Sequence, residues 1–220
     1  MDKAEIQVRQ SIVHASRRMQ PLGLSHGTSG NISVRHGDGL LITPSGVSYD
    51  TMSDGDIVSM GFDGSWQGEL APSTEWRFHR DILQSRKEIN AVVHGHPLHA
   101  TSLAICGRDI PAVHYMIAAA GGARIRCAKY ATFGTQALSQ NVLDAMRGRN
   151  CCLMANHGMI AIGPDLERAI WLASELENLA HQYVISLTIG QPGILSDEEI
   201  EKNIALFRNY GPKRPAESST

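Results

Sequence analysis

The chain has 220 residues, of which 42% are hydrophobic, so its length suits one domain with a substantial core. A formal net charge of −2 provides no basic stripe for a nucleic acid backbone, and no apolar run approaches the ~18 residues of a membrane span. The charged start, MDKAEIQVRQ, lacks the apolar centre of a signal peptide, so we expect a cytoplasmic protein that binds neither nucleic acid nor membrane.

The first part of the chain predicts one helix followed by short strands. Asp2 is a candidate cap for a helix over residues 2–20, in which apolar residues recur at helical spacing. A glycine-rich loop, GLSHGTSGN, comes next. Three strands separated by turns follow, at 32–35, 39–43 and 56–62. The DGSW stretch after the last of them is typical of a hairpin turn.

The rest of the chain alternates helices with strands. A strand is predicted at 90–96, residues 110–132 fit a strand or a short helix, and CCLMANHGMIAIG is either one broken strand or two. Helices are predicted at 72–86, where Pro72 and Ser73 form the start, and at 97–107, 133–148, 165–189 and 196–211. This irregular alternation predicts a single layered α/β domain over residues 1–220, around a mixed or mostly antiparallel sheet, with a loose tail at 211–220.

The stretch AVVHGHPLHA concentrates three histidines within six residues, directly after an apolar strand. Residues i and i+2 of a strand face the same side, so His94 and His96 would stand ~6–7 Å apart at their backbones and converge on one cation. His157, in the turn of MANHGMIAIG, also follows an apolar strand. Three histidines and a carboxylate make a typical catalytic zinc shell, whereas hydrogen-bonded histidines at a strand end are the alternative. We interpret His99 as a neighbour of this group.

Glu75, in APSTEW, is the candidate carboxylate, although any glutamate near the start of a helix also complements the helix dipole. Three nearby loops are rich in glycine and hydroxyl groups: GTSGN at 27–31, TPSG at 43–46 and PST at 72–74. Exposed backbone N–H groups and hydroxyls of this kind cradle phosphate without lysine or arginine. Each loop alone is equally typical of a turn or a helix cap, and together they suggest an anion site.

These motifs together resemble the class II aldolase/adducin family over about residues 20–210, and within it the enzymes that cleave ketose 1-phosphates. The resemblance rests on the following stretches: GTSGNISVR, LLITPSGVSYD, PSTEWRFH, AVVHGHPLH, PAVHYMIAAAGG, YATFGT, NHGMIA and LSDEEI. It implies a three-layer α/β/α domain around a mostly antiparallel sheet. It also implies a homotetramer with active sites between subunits.

The resemblance further implies a role for each matching residue. His94, His96 and His157 fall on zinc ligands, and Glu75 falls on the catalytic acid/base, which is also a candidate fourth ligand in the absence of substrate. Tyr115 matches a tyrosine that reaches a neighbouring subunit's site, and Tyr210 matches one that helps to cover the aldehyde end. The expected phosphate pocket consists of Thr28, Asn31, Thr43, Ser45, Gly46, Ser73 and Thr74.

The activity that follows is retro-aldol cleavage of a ketose 1-phosphate to dihydroxyacetone phosphate and an aldehyde. Zinc, with cobalt or manganese as substitutes, would stabilise the enediolate, and Glu75 would protonate C3. Tyr115 would exchange a proton with the C4 hydroxyl. Three substrates remain alternatives because they share the dihydroxyacetone phosphate half: fuculose 1-phosphate, 5-deoxyribulose 1-phosphate and 5-methylthioribulose 1-phosphate. The last two belong to salvage routes that include methionine salvage.

Three other interpretations differ in chemistry. A sugar-phosphate 4-epimerase of the same family would carry Asp at the position of Glu75. An adducin-like scaffold would lack the zinc histidines, all three of which are present here. A Schiff-base aldolase needs a desolvated lysine, and only Lys129 lies in a suitable part of the chain.

Overall fold

The computed structural model describes residues 2–207, and within them ten strands and six α-helices follow one another irregularly along the chain. The helices are α1 (Lys3–Met19), α2 (Trp76–Ser85), α3 (Leu98–Ile105), α4 (Gln136–Ala145), α5 (Leu166–Ile189) and α6 (Asp197–Phe207). The strands are β1 (Asn31–His36), β2 (Gly39–Ile42), β3 (Val58–Gly61), β4 (Trp66–Gln67), β5 (Ala91–Gly95), β6 (Ile110–Pro111), β7 (Arg124–Ile125), β8 (Cys127–Ala128), β9 (Cys151–Met154) and β10 (Gly158–Gly163). Short 3₁₀ helices span Asp54–Asp56 and Tyr115–Ala120.

Eight of these strands form one mixed sheet in the order β4-β3-β2-β1-β5-β10-β9-β8, and β6 pairs with β7 apart from it. Every neighbouring pair in the large sheet is antiparallel except β8 with β9. Strand β5 lies at the centre, between β1 and β10. The prediction of a mostly antiparallel mixed sheet is therefore confirmed.

Helices cover both faces of the sheet, as the alternation of side chains along β5 shows. Val93 packs into a core that is shared with α1, α3 and α5. Val92, one residue earlier, points to the opposite face and packs into a core that is shared with α2 and α4. Both side chains are fully buried. Two apolar cores on either side of one sheet make the three-layer α/β/α arrangement that was predicted.

Several element boundaries differ from the sequence prediction. The helix expected over 72–86 begins only at Trp76, because Pro72 forms a β-bridge with Pro44 and Ser73 donates its backbone N–H to Thr43. Thr135 caps Leu138, so α4 begins at Gln136 and is shorter than predicted. Residues 110–132 hold three short strands and a 3₁₀ helix, and the CCLMANHGMIAIG segment forms two strands.

Asp2 caps the first helix as expected, since its carboxylate accepts the backbone N–H of Glu5 over 2.8 Å. None of the helices between residues 2 and 207 combines the length and the apolar content that crossing a membrane requires. The predicted end of the last helix and the predicted tail at 211–220 lie outside the described residues.

Candidate metal centre and substrate cavity

Two histidines meet where β5 leaves the core. The Nε2 atoms of His94 and His96 are 3.0 Å apart, as the i, i+2 spacing on a strand predicted. Gly95, between them, allows the loop after α1 to close over the strand: His96 donates its backbone N–H to the carbonyl of Leu24 over 3.0 Å. A Cβ atom at Gly95 would overlap this same carbonyl oxygen, so only glycine fits here.

His157 comes from the tight turn between β9 and β10. The backbone φ of Asn156 is +54° in this turn, a conformation that asparagine tolerates better than most residues. Because β10 pairs with β5 so that Met159 lies opposite Gly95, the turn carries His157 to the end of β5. The candidate ligand atoms of His94, His96 and His157 all lie within 4.8 Å of one another.

Glu75 completes the group from the opposite side. Its backbone forms the N-terminal cap of α2, and its side chain points between two of the histidines: Oε2 lies 3.1 Å from Nε2 of His94, and Oε1 lies 3.0 Å from Nε2 of His157. The latter pair is close but not aligned as a hydrogen bond, so Oε1 is buried without a hydrogen-bond partner. Burial opposes ionisation of Glu75, but attraction to His94 and His157 outweighs it and lowers the pKa of this carboxyl.

The hydrogen bonding of the histidines suits a cation. The Met159 carbonyl can only accept, so His94 donates from Nδ1 over 2.9 Å, and this bond fixes the ring with Nε2 directed at the other two histidines. Burial lowers the pKa of His96 to about 4, helped by repulsion from His94 and His157, so this ring is neutral at pH 7. Imidazole nitrogens with a carboxylate are the donor set of a catalytic zinc site, and a cation here would also pair with Oε1 of Glu75, which has no hydrogen bond.

A cavity of about 380 Å³ opens above this group. The glycine- and hydroxyl-rich loops form its other wall, where the predicted phosphate residues Thr28, Asn31, Ser45, Gly46, Ser73 and Thr74 all line it together with Glu75, His96 and His157. The lining residues that the structure describes include neither lysine nor arginine. An anion in this wall would therefore be held by hydroxyls and backbone N–H groups.

The other predicted residues lie elsewhere. Thr43 is buried behind the cavity wall, where its hydroxyl accepts the backbone N–H of Ile32 over 3.2 Å. Tyr115 is 50% exposed and lines a separate cavity, with its ring against those of His114 and Phe207. Tyr210 lies outside the described residues. His99 is a neighbour and not part of the histidine group, because its Nδ1 lies 2.7 Å from Glu177 and its ring stacks on His181.

Several residues at the cavity were not predicted from the sequence. Tyr130 and Phe133, which are 62% and 64% exposed, line the mouth opposite the glycine-rich loops, and Asn156 lines it beside His157. The YATFGT stretch carries the two aromatic side chains, and nothing in its local pattern assigns them a site. His79, which is fully buried one helical turn after Glu75, was also not predicted. Its position four residues after Glu75 on an amphipathic helix was the available signal.

Comparison with known proteins identifies the family. The chain matches the class II aldolase and adducin N-terminal domain over residues 10–184. This chain belongs to the class II aldolase and adducin family. Members similar to it include the 5-methylthioribulose-1-phosphate/5-deoxyribulose-1-phosphate aldolase of Rhodospirillum rubrum, 51% identical over 96% of each chain. The L-fuculose phosphate aldolase of Escherichia coli is 48% identical over 92% of this chain and 94% of its own length.

A solved structure of an L-fuculose 1-phosphate aldolase superposes with a TM-score of 0.89, at 38% identity over 92% of this chain and 96% of that one. The predicted family, fold and enzyme class are thus confirmed: the protein is a class II aldolase, and the names of its relatives agree with the predicted cleavage of a sugar phosphate. Class II aldolases depend on a metal, and His94, His96 and His157 are arranged to hold one.

Proposed function

We propose that this protein is a zinc-dependent aldolase that reversibly cleaves a ketose 1-phosphate to dihydroxyacetone phosphate and an aldehyde. One observation carries the proposal: a carboxylate with one oxygen free of hydrogen bonds lies against two of three clustered histidines, at one side of a cavity whose other side is an uncharged anion cradle. The similar enzymes of Rhodospirillum rubrum and Escherichia coli are named for the cleavage of such phosphates.

The cradle binds the phosphate and thereby positions the sugar. Hydroxyls of Thr28, Ser45, Ser73 and Thr74 and the loop at Gly46 are available for its oxygens, because all of them line the cavity. The φ of Gly46 is +72°, which a glycine adopts readily and which turns the TPSG loop at the cavity wall. One amide hydrogen of Asn31 bonds to Glu75, and the second is available to a phosphate oxygen. Thr43 supports the cavity wall from behind, through its hydrogen bond with Ile32. Fixing the phosphate places C2 to C4 near the histidines.

Glu75 moves the proton at C3. In the condensation direction its carboxylate removes a proton from C3 of dihydroxyacetone phosphate, and in the cleavage direction the carboxyl, once it has taken up a proton, gives it to C3 of the enediolate. Its oxygen Oε1 is suited to this because Oε2 already accepts a hydrogen bond from Asn31 over 2.9 Å. When bound by His94, His96 and His157, zinc supplies positive charge that stabilises the enediolate, a Lewis-acid role that cobalt or manganese can substitute.

We further propose a homotetramer in which Tyr115 serves the neighbouring subunit, where its hydroxyl exchanges a proton with the C4 oxygen. The position of Tyr115 supports this, since it is half exposed and lines a cavity other than the one that holds Glu75 of its own chain. Tyr210 would help to cover the aldehyde. One domain over residues 1–220, a cytoplasmic location and a place in carbohydrate metabolism, including methionine salvage, remain part of the same proposal.

Metal removal followed by a substrate series tests the proposal. Chelation should abolish cleavage, and zinc should restore it. His94→Ala should lose metal and activity together, whereas the control His14→Ala, at an exposed position on α1, should lose neither. Full activity in protein shown to be metal-free by elemental analysis would overturn the metal role.

The ratio of kcat/KM values for fuculose 1-phosphate, 5-deoxyribulose 1-phosphate and 5-methylthioribulose 1-phosphate then assigns the physiological aldehyde. Dihydroxyacetone phosphate should appear as a product with each substrate that is cleaved. Failure of the zinc-loaded protein to cleave any of the three would overturn the proposed activity.

A further inference from the structure

A row of four buried polar side chains leads away from the metal centre, beneath the cavity. Asn31 and Ser33 occupy alternate positions of β1 and so face the same side, while Glu75 and His79 lie one turn apart at the start of α2. Asn31 Nδ2 is 2.9 Å from Glu75 Oε2, His79 Nε2 is 2.5 Å from Asn31 Oδ1, and Ser33 Oγ is 2.7 Å from His79 Nδ1. None of the four is more than 7% exposed.

The charge on Glu75 determines the direction of every hydrogen bond in this row. A carboxylate only accepts, so Asn31 must present its NH₂ group to Glu75 and its carbonyl oxygen to His79. His79 must then donate from Nε2, which leaves the lone pair of the neutral ring on Nδ1. Ser33 therefore donates its hydroxyl hydrogen to Nδ1. Each member donates to the next one along the row, and the last acceptor is Oε2 of Glu75.

The opposite orientation of the Asn31 amide would be costly. A flipped amide would place its carbonyl oxygen against the carboxylate, a buried contact between two acceptors that no change of the His79 tautomer relieves, and it would lose the hydrogen bond that Nε2 of His79 donates. His79 lies between α2 and the sheet, with its ring stacked on that of Phe78 at 4.8 Å. The ring that holds the amide is thus itself held in place by packing.

We propose that His79 and Ser33 are positioning residues for Glu75. Through their hydrogen bonds they anchor the Asn31 amide in the orientation that Glu75 requires, which keeps Oε2 engaged and leaves Oε1 as the oxygen that exchanges a proton with C3 of the substrate. This inference rests on the proposed aldolase function. It assigns the two oxygens of one carboxylate to different tasks, which neither residue type nor spacing along the chain reveals.

Substitutions at His79 distinguish the loss of its hydrogen bond to Asn31 from the loss of its side-chain volume. His79→Gln keeps a donor near the position of Nε2, and His79→Met keeps a similar length but removes the donor to Asn31. In the zinc-loaded protein, we expect His79→Met to lower kcat ~10–100-fold, the usual effect of losing an outer-shell partner, and His79→Gln to restore most of it. KM should change less than kcat, because Asn31 is the one cradle residue that loses a hydrogen bond and the hydroxyl-bearing loops keep theirs. Exchange of the C3 proton of dihydroxyacetone phosphate with deuterated water should slow in parallel with kcat.

Ser33→Ala provides a milder test with a matched control. Ser16 is equally buried, and its hydroxyl bonds only the carbonyl of Ile12 within α1, far from the row. Ser33→Ala should lower kcat, whereas Ser16→Ala should leave it unchanged, although each variant loses one buried hydroxyl. Zinc content per chain should be the same in all variants, because none of these side chains belongs to the candidate ligands.

Histidine ring ¹⁵N shifts give a readout that does not depend on activity. The signal of His79, assigned by its loss in His79→Met, should show a neutral ring with hydrogen on Nε2. A ring with hydrogen on Nδ1, a charged ring at pH 7, or a His79→Met enzyme with unchanged kcat and C3 exchange would overturn the inference. Wild-type protein that neither cleaves nor exchanges would instead refute the aldolase function, and the nitrogen shifts would still decide the orientation of the row.

Discussion

Replacing Glu75 with glutamine removes the proposed proton carrier while keeping its shape. The side chain is only 9% exposed, and the amide fits the same space between the histidines. A neutral amide neither removes nor supplies the C3 proton, so kcat should fall by ~10²–10⁴, which is about 3–5 kcal/mol in activation free energy. Glu75→Gln should slow C3 exchange of dihydroxyacetone phosphate by a similar factor.

The effect on stability should be much smaller. The bond from Asn31 to Oε2 changes from one with a charged acceptor to one with a neutral acceptor, a loss of about 1 kcal/mol. For a chain of this size that corresponds to a fall in Tm of about 2–4 °C. Thermal unfolding, zinc content and steady-state kinetics on one preparation therefore separate lost chemistry from lost structure.

Glu88→Gln is the matched control. The Glu88 side chain is 63% exposed and pairs with Arg86 at 2.8 Å on the surface, so its removal should leave kcat and C3 exchange unchanged. If Glu75→Gln binds zinc and exchanges the C3 proton at the wild-type rate, another group is the base and the reasoning from the unpartnered oxygen is wrong.

Three more predictions address the strand end, the subunit contact and the buried histidine. Gly95→Ala should cost about 1–3 kcal/mol and lower zinc affinity, because its Cβ would overlap the backbone of Leu24. Gly55→Ala should do neither, since its Cβ would lie 3.7 Å from the Ser53 hydroxyl, and equal zinc titrations of the two variants would contradict this. Tyr115→Phe should impair cleavage but spare C3 exchange. If active sites are shared between subunits, mixing Tyr115→Phe with Glu75→Gln subunits should restore activity. A mixture no more active than the average of its parents, despite proven subunit exchange, would place Tyr115 in its own subunit's site or in none. Burial, with repulsion from His94, lowers the pKa of His79 to about 3 from an ordinary value of 6.5. Between these two pH values the unfolded chain binds more protons than the folded one, so the free energy of unfolding should fall as the pH decreases through this window. The loss of unfolding free energy amounts to roughly 2 kcal/mol at pH 5. Urea titrations of metal-free wild-type protein and of His79→Gln should therefore differ in how the unfolding free energy depends on pH. Parallel dependences in the two proteins would show that His79 titrates normally.

Much of the architecture follows from local pattern. Apolar runs bounded by glycine and turn residues located the central strands, and helical periodicity located α1 and α5 within a residue or two. Residues 110–132 could not be assigned in this way. Their strands are only two residues long and are stabilised by pairing partners that are distant in the chain, such as β9 for β8, so no period develops within them.

The candidate site, like the fold, is predicted by the sequence only in part. The sequence by itself determined that His94 and His96 share a face, because the strand period is two. Local pattern made His157 and Glu75 candidates, and motif resemblance gave them their roles. Only the tertiary structure decided that His157 reaches this strand end, since the pairing of Met159 with Gly95 sets that register. It alone also brought His79 to Asn31 across 48 positions of the chain. Hydrogen bonds of this range depend on how a helix packs on a sheet, and the spacing of residues along the chain carries no record of that contact.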